Sequence, residues 1–196
     1  MIVNNRWRTV DILVASVIAV AFGVVFWAWN LLWAATMPAF GFFPPAQALL
    51  YGVWLLPAVL GALVIRKPGA ALYCETVAAI VSALLGNQWA NTVIPQGLLQ
   101  GLGAELAFAA FRYRSYRLPV AVLAGALAGL AAAIWDQFYY YAAPEYSVTA
   151  FRIPFFVITV LSAAVIAGAG GWALTRALAR TGVLDRFPAG RERAAV

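Results

Sequence analysis

Histidine is absent from the 196 residues, and cysteine occurs once, at Cys74. No disulfide can form within the chain. Zinc sites built from histidine and cysteine are excluded, as are Ser–His and Cys–His nucleophile pairs. Lysine also occurs once, at Lys67 in a basic loop. No G-x-x-x-x-G-K-S/T phosphate loop is present, so any ATP hydrolysis must come from another chain. Charge of either sign is scarce. Asp, Glu, Lys and Arg make up 10% of the chain, against about 25% in soluble domains. These absences argue against an enzyme and leave open only a mechanism built on carboxylates. No resident cofactor and no metal site are expected.

What fills the chain instead is apolar: 65% of the residues are hydrophobic, well above the roughly 45–50% of soluble domains. A membrane-crossing helix needs about 20 such residues. The sequence therefore predicts an all-α, polytopic membrane protein with six transmembrane helices. The spans fall near Ile12–Trp33, Ala46–Ile65, Ala70–Leu85, Thr92–Phe111, Leu118–Tyr139 and Phe151–Leu178. The first run is too long for a signal-peptide core and ends in Trp27, Trp29, Asn30 and Trp33, so it reads as a retained span. Residues 1–196 form a single membrane domain, with 181–196 expected as a flexible cytoplasmic tail.

The basic residues orient this bundle. With six spans, twelve of the thirteen Lys and Arg fall on one side: Arg6, Arg8, Arg66, Lys67, Arg112, Arg114, Arg117, Arg176, Arg180, Arg186, Arg191 and Arg193. Only Arg152 falls on the other. The positive-inside rule then places both termini in the cytoplasm. The net charge of +6 reflects loops beside an anionic membrane and gives no sign of a nucleic-acid partner.

The opposite side receives three loops, 36–45, 87–91 and 140–150. Tryptophan, tyrosine, amide and acidic side chains concentrate at or near them: Trp33, Asn87, Trp89, Gln96, Trp135, Asp136, Tyr139, Tyr140 and Tyr146. The basic side has few tryptophans, and its aromatics are mainly Tyr113 and Tyr116. A plain lipid-anchoring belt rings both interfaces. A one-sided concentration favours a pocket that opens outward.

The stretch GNQWANTVIPQGLLQGLGAELAF, residues 86–108, is the densest in polar groups. Gln96 and Gln100, four residues apart, share a helical face and present donors and acceptors together. Amides and carboxylates inside a bilayer are costly and tend to face a cavity or a partner. Such a face can line a small-molecule pocket, or its amides can bond neighbouring helices. Gly97, Gly101 and Glu105 form a second stripe about 100° away. Glu105 belongs to a helix–helix contact on that count, with its role between packing and pocket left open. Glu75 sits alone in the third span and must be protonated, paired or wetted. In the first span Ala15, Ala19 and Gly23 recur every fourth residue, a flat stripe on which another helix can approach closely.

Aromatic walls beside carboxylates suit a flat, cationic or weakly basic guest. Each ring face attracts a cation by about 0.5–2 kcal/mol, and amides read the donors and acceptors of a heteroaromatic ring. A strongly anionic ligand fits poorly with Arg152 as the one outward positive charge.

The A-x-x-x-A stripe of Ala15 and Ala19 on the first of six spans, with both termini inside, resembles the substrate-binding S components of energy-coupling factor (ECF) vitamin importers. The run from Asn87 through QGLLQGLGAEL to Phe108 is similar, more specifically, to the YkoE group, associated with thiamine and its hydroxymethylpyrimidine precursor. The resemblance spans nearly the whole chain. It implies capture of the vitamin at the outer face of a bacterial or archaeal cell membrane. It also implies docking on a membrane coupling protein driven by two cytosolic ATPases, with toppling to release the vitamin inside. Carried over, Ala15 and Ala19, extended by Gly23, are coupling contacts. Glu75, Asn87, Trp89, Gln96, Gln100, Trp135, Asp136 and Tyr139 are the implied ligand contacts. Thiamine S components of other groups use a pocket histidine, which this chain lacks. Two rival readings stand beside this one: a structural or assembly subunit, and a membrane enzyme working through Glu75 and Glu105.

Overall fold

The computed structural model of the chain describes residues 5–194, and among them there is no strand. Six helical rods follow one another: α1 (Thr9–Thr36), α2 (Pro44–Ile65), α3 (Ala70–Leu84), α4 (Val93–Ala110), α5 (Leu118–Tyr139) and α6 (Val148–Arg180). A short α7 (Pro188–Ala194) closes the chain. Four candidate spans are long and apolar enough to cross a membrane: Thr9–Phe40, Pro44–Ile65, Leu118–Tyr139 and Val148–Arg180. The Ala70–Leu84 helix is apolar but shorter.

Not all of these rods are α-helical throughout. The first twelve residues of α2, Pro44–Leu55, wind as a 3-10 helix before the α-helix Leu56–Ile65 takes over. In α6, π-helical stretches at Val148–Arg152 and Ala163–Gly170 flank the α-helix Ile153–Ser162. Extended 3-10 and π segments are uncommon, and π turns often mark functional regions. The 3-10 segment is bonded to α6 at the last α-helical residue before its second π stretch: Ser162 Oγ donates to the Leu49 carbonyl at 2.7 Å and accepts from the Gly52 N–H at 3.0 Å. Gly52 has no room for a side chain there, since a Cβ would lie 2.5 Å from the Ser162 carbonyl oxygen.

The α2 rod is the centre of the bundle. Every residue from Pro57 to Ile65 is buried, as befits a helix that is apolar on all faces. The other rods pack around it, α3 between α1 and α4, and α5 between α4 and α6.

Two buried carboxylates tie consecutive rods. Helices leave their first N–H groups without intrahelical partners. Glu105 on α4 supplies the start of α3, accepting from the N–H of Gly69 at 2.7 Å, Ala71 at 2.9 Å and Leu72 at 3.3 Å. Glu75 on α3 does the same for the α-helical part of α2, its Oε2 accepting from the Ala58 N–H at 3.0 Å. A carboxylate at a helix N-terminus is also favoured by the helix dipole.

The basic end is closed by a third acid. Asp11, fully buried, accepts from the Arg8 guanidinium at 2.7 Å and pairs with Lys67 Nζ at 2.8 Å. Lys67 also donates to the Arg6 carbonyl, and the Trp7 indole donates to the Pro68 carbonyl at 3.0 Å. The chain's one lysine thus joins the start of α1 to the α2–α3 turn. The segment after Arg180, expected as a flexible tail, packs here as well. Leu184, Phe187 and Ala189 are buried in a cluster with Ala15, Leu60 and Val64. Residues 195–196 lie outside the described chain.

Ala15, Ala19 and Gly23, expected as coupling contacts on the surface of α1, face inward. Both alanines are fully buried, and a Cβ on Gly23 would come within 2.5 Å of the Val81 side chain on α3. The small residues are spent on the α1–α3 contact. The outer face of α1 carries Leu13, Val17, Val20 and Val24 instead.

Candidate functional site

At the end of the bundle opposite Asp11 and Lys67, the rods part around a cavity of about 370 Å³. This lies within the usual range of small-molecule sites, roughly 300–1,000 Å³. It is lined from the C-terminal parts of α1, α3 and α5, the middle of α2 at Tyr51 and Trp54, and the first turns of α4.

Aromatic rings make its walls. Trp54 is the hub: its ring centroid lies 4.9 Å from Trp33, 5.2 Å from Tyr51 and 5.6 Å from Trp89. The contacts with Tyr51 and Trp89 are edge-on, at 76° and 88°, the arrangement favoured by ring quadrupoles. Tyr140 and Tyr141 close the α5 side.

The polar groups divide into bonded and free. The Gln96 amide is fully engaged. Its Nε2 donates to Tyr51 Oη and to Asp136 Oδ1, each at 2.8 Å, and its Oε1 accepts from Tyr140 Oη at 3.4 Å. Tyr140 and Thr92 hydroxyls pair at 2.7 Å. Gln100, one turn further along α4, also lines the cavity and is 5% exposed, yet its amide bonds to no described residue. It is the buried amide left for a guest; Gln88, exposed at the same lining, is the other unengaged one. Asp136, 3% exposed, is the one acidic residue of the lining, and no Lys or Arg joins it. No cluster of three or more metal-binding side chains occurs among the described residues.

Of the eight residues expected to contact a ligand, Trp89, Gln96, Gln100 and Asp136 line this cavity, and Glu75, Asn87, Trp135 and Tyr139 do not. Glu75 is turned toward α2, where it holds the Ala58 N–H; its Oε1 has no partner among the described residues. Asn87 is buried beside the cavity and bonded to Ser82 Oγ at 3.3 Å and to the Trp89 N–H at 2.8 Å. Trp135 and Tyr139 stack on one another at 5.0 Å and 13°, with Tyr139 55% exposed on the outside of α5. The inward face of α5 is instead Asp136 and Tyr140, four residues apart.

The lining also holds Phe26, Asn30, Trp33, Tyr51, Trp54 and Ser82, which are not among the expected contacts. A signal for the α1 residues exists in the sequence. Phe26, Asn30 and Trp33 continue the face of Ala15, Ala19 and Gly23 at helical spacing. The lower half of that stripe is small and meets α3. The upper half is large and faces the cavity.

Three comparisons bear on this site. Residues 10–131 match the family model "ABC-type cobalt transport system, permease component". The chain is 41% identical over 189 residues to a Bacillus subtilis (strain 168) protein named as an HMP/thiamine permease, YkoE, covering 96% of this chain and 92% of that one. A crystal structure of an S component of an ECF transporter superposes with a TM-score of 0.87 at 39% identity, covering 97% of this chain and 94% of the other. A likeness of this extent, across the helices that build the cavity, assigns a non-catalytic transporter subunit. The chain belongs to the YkoE-type S components of energy-coupling factor transporters.

Proposed function

We propose that this chain is the high-affinity substrate-binding subunit of an ATP-driven importer and that its cargo is thiamine or the hydroxymethylpyrimidine precursor. The observation that carries the reading is the cavity itself. It combines indole and phenol walls, one acidic side chain at Asp136, unengaged amides at Gln100 and Gln88, of which only Gln100 is buried, and no basic residue. Thiamine presents a flat aminopyrimidine and a permanently cationic thiazolium ring. Stacking on Trp33, Trp54 and Trp89 suits both rings, the Asp136 carboxylate suits the cation, and Gln100 can read a ring nitrogen or an amine. The relative's name, HMP/thiamine permease, points the same way.

In this reading the six rods are six spans with both termini in the cytoplasm of a prokaryotic cell membrane. The cavity opens outward, because the basic residues Arg66, Lys67, Arg112, Arg114 and Arg117 gather at the other end. A membrane coupling protein and two cytosolic ATPases complete the importer. The coupling protein meets a surface other than the Ala15–Ala19–Gly23 stripe, which α3 covers in this conformation.

Native mass spectrometry of the chain purified from thiamine-replete cells tests the cargo. A co-purifying mass equal to thiamine or the pyrimidine is expected. A different retained small molecule contradicts the assignment.

A further inference from the structure

Three side chains, two of them in the cavity lining, link the Trp54 indole to the backbone of Trp89. The Trp54 indole N–H donates to Asn30 Oδ1 at 2.9 Å. Asn30 Nδ2 donates to Ser82 Oγ at 3.4 Å. The same hydroxyl oxygen accepts from Asn87 Nδ2 at 3.3 Å, and Asn87 Oδ1 accepts from the Trp89 N–H at 2.8 Å. The chain of bonds runs from α2 through α1 and α3 into the loop before α4, and its ends meet again where Trp54 and Trp89 pack edge to face. Asn30, Ser82 and Asn87 are 5%, 2% and 8% exposed, so water competes little for these bonds.

We infer that Asn30, Ser82 and Asn87 are positioning residues that set the pose of Trp54 and Trp89, and through them the cavity's selectivity for flat rings. This rests on the cavity being the cargo site. An indole has one polar handle, its N–H, and an acceptor on that handle fixes the ring's rotation about its own axis. Without Asn30 the Trp54 ring can pivot within the cavity, and the slot between ring faces loses its fixed width. Asn87 acts on the second wall through the backbone, by holding the Trp89 N–H in the turn that leads into α4. Ser82 is the shared acceptor that makes the two walls respond together. Amides at helix contacts in membranes are ordinarily glue; here one amide ends on the Trp54 indole N–H and the other on the Trp89 backbone N–H.

The test is a double-mutant cycle read by calorimetric titration with thiamine and with 4-amino-5-hydroxymethyl-2-methylpyrimidine. Asn30→Ala is expected to weaken binding by about fivefold to tenfold. Trp54→Phe keeps a ring but removes the N–H that Asn30 holds, and in that background Asn30→Ala should cost less than about twofold. An equal loss in both backgrounds means Asn30 contacts cargo directly and overturns the inference, as does unchanged affinity in Asn30→Ala. Should Asn30→Ala not fold, Ser82→Ala examines the middle of the chain. A several-fold loss that shrinks in the Trp54→Phe background supports the inference, and a loss of the same size in both, or none, contradicts it. Wild-type protein that binds neither compound instead removes the cargo assignment, which separates the two failures.

Discussion

The Glu105 carboxylate accepts the backbone N–H of Ala71, 34 residues earlier in the chain, at 2.9 Å. It caps a helix to which it does not belong. Charge-assisted bonds to the first N–H groups of a helix are among the stronger contacts a fold can make. Glu105→Ala leaves the N–H groups of Gly69, Ala71 and Leu72 without this acceptor and is expected to destabilise the chain by about 1–3 kcal/mol. Thermal unfolding in detergent should show the drop, while ligand affinity of the folded fraction stays nearly unchanged. A large affinity loss at unchanged stability would move Glu105 into the binding site.

Gln96 and Gln100 should behave differently despite sharing a helical face. Gln100 bonds to no described residue, so Gln100→Ala should lower affinity by about tenfold and leave the melting temperature unchanged. Gln96 holds Tyr51 and Asp136 together. Gln96→Ala should therefore lower both affinity and stability, the latter by about 1–3 kcal/mol. Identical behaviour of the two variants in paired melting and titration curves would contradict the division.

Ala15→Leu and Ala19→Leu probe the buried stripe. Both positions are fully buried, and overpacking a close helix contact costs about 1–3 kcal/mol or more. Reduced yield of folded protein and a lower melting temperature are expected for each. Wild-type stability and binding with uptake lost would show instead that the stripe is free to meet the coupling protein.

These outcomes bear on what a sequence can disclose. The bounds of α5 are legible to the residue. Arg117 precedes an apolar run that is unbroken from Leu118 to Trp135, and Pro119 stands in its first turn, where proline favours a helix start. The convergence of aromatic and amide residues at one end is legible too, since six alternating rods leave few other places for them. What helical spacing does not supply is the neighbour each face meets. Glu75 reads as a stranded acid because its partner, the Ala58 N–H, is freed by a change from 3-10 to α winding that no side-chain pattern announces. Composition places Trp135 and Tyr139 in the cavity, but the face of α5 turned to α2 and α4 is set one residue further on, at Asp136 and Tyr140. The small stripe of α1 suits an external partner equally well until α3 is placed against it.

Asp136 is the one acidic residue of the cavity lining. Asp136→Asn keeps an acceptor for the Gln96 amide and removes the carboxylate. Thiamine, a fixed cation, should lose about tenfold or more in affinity, and the neutral pyrimidine should lose less. Parallel titrations with the two compounds check this. Equal losses would place the thiazolium ring away from Asp136.

The most direct measurement is calorimetric titration of the purified wild-type chain, without any partner subunit, with thiamine and with the hydroxymethylpyrimidine. One-to-one saturable binding of at least one of them at submicromolar concentration is predicted. Flat titrations with both, from protein that is folded and free of retained ligand, would contradict the account.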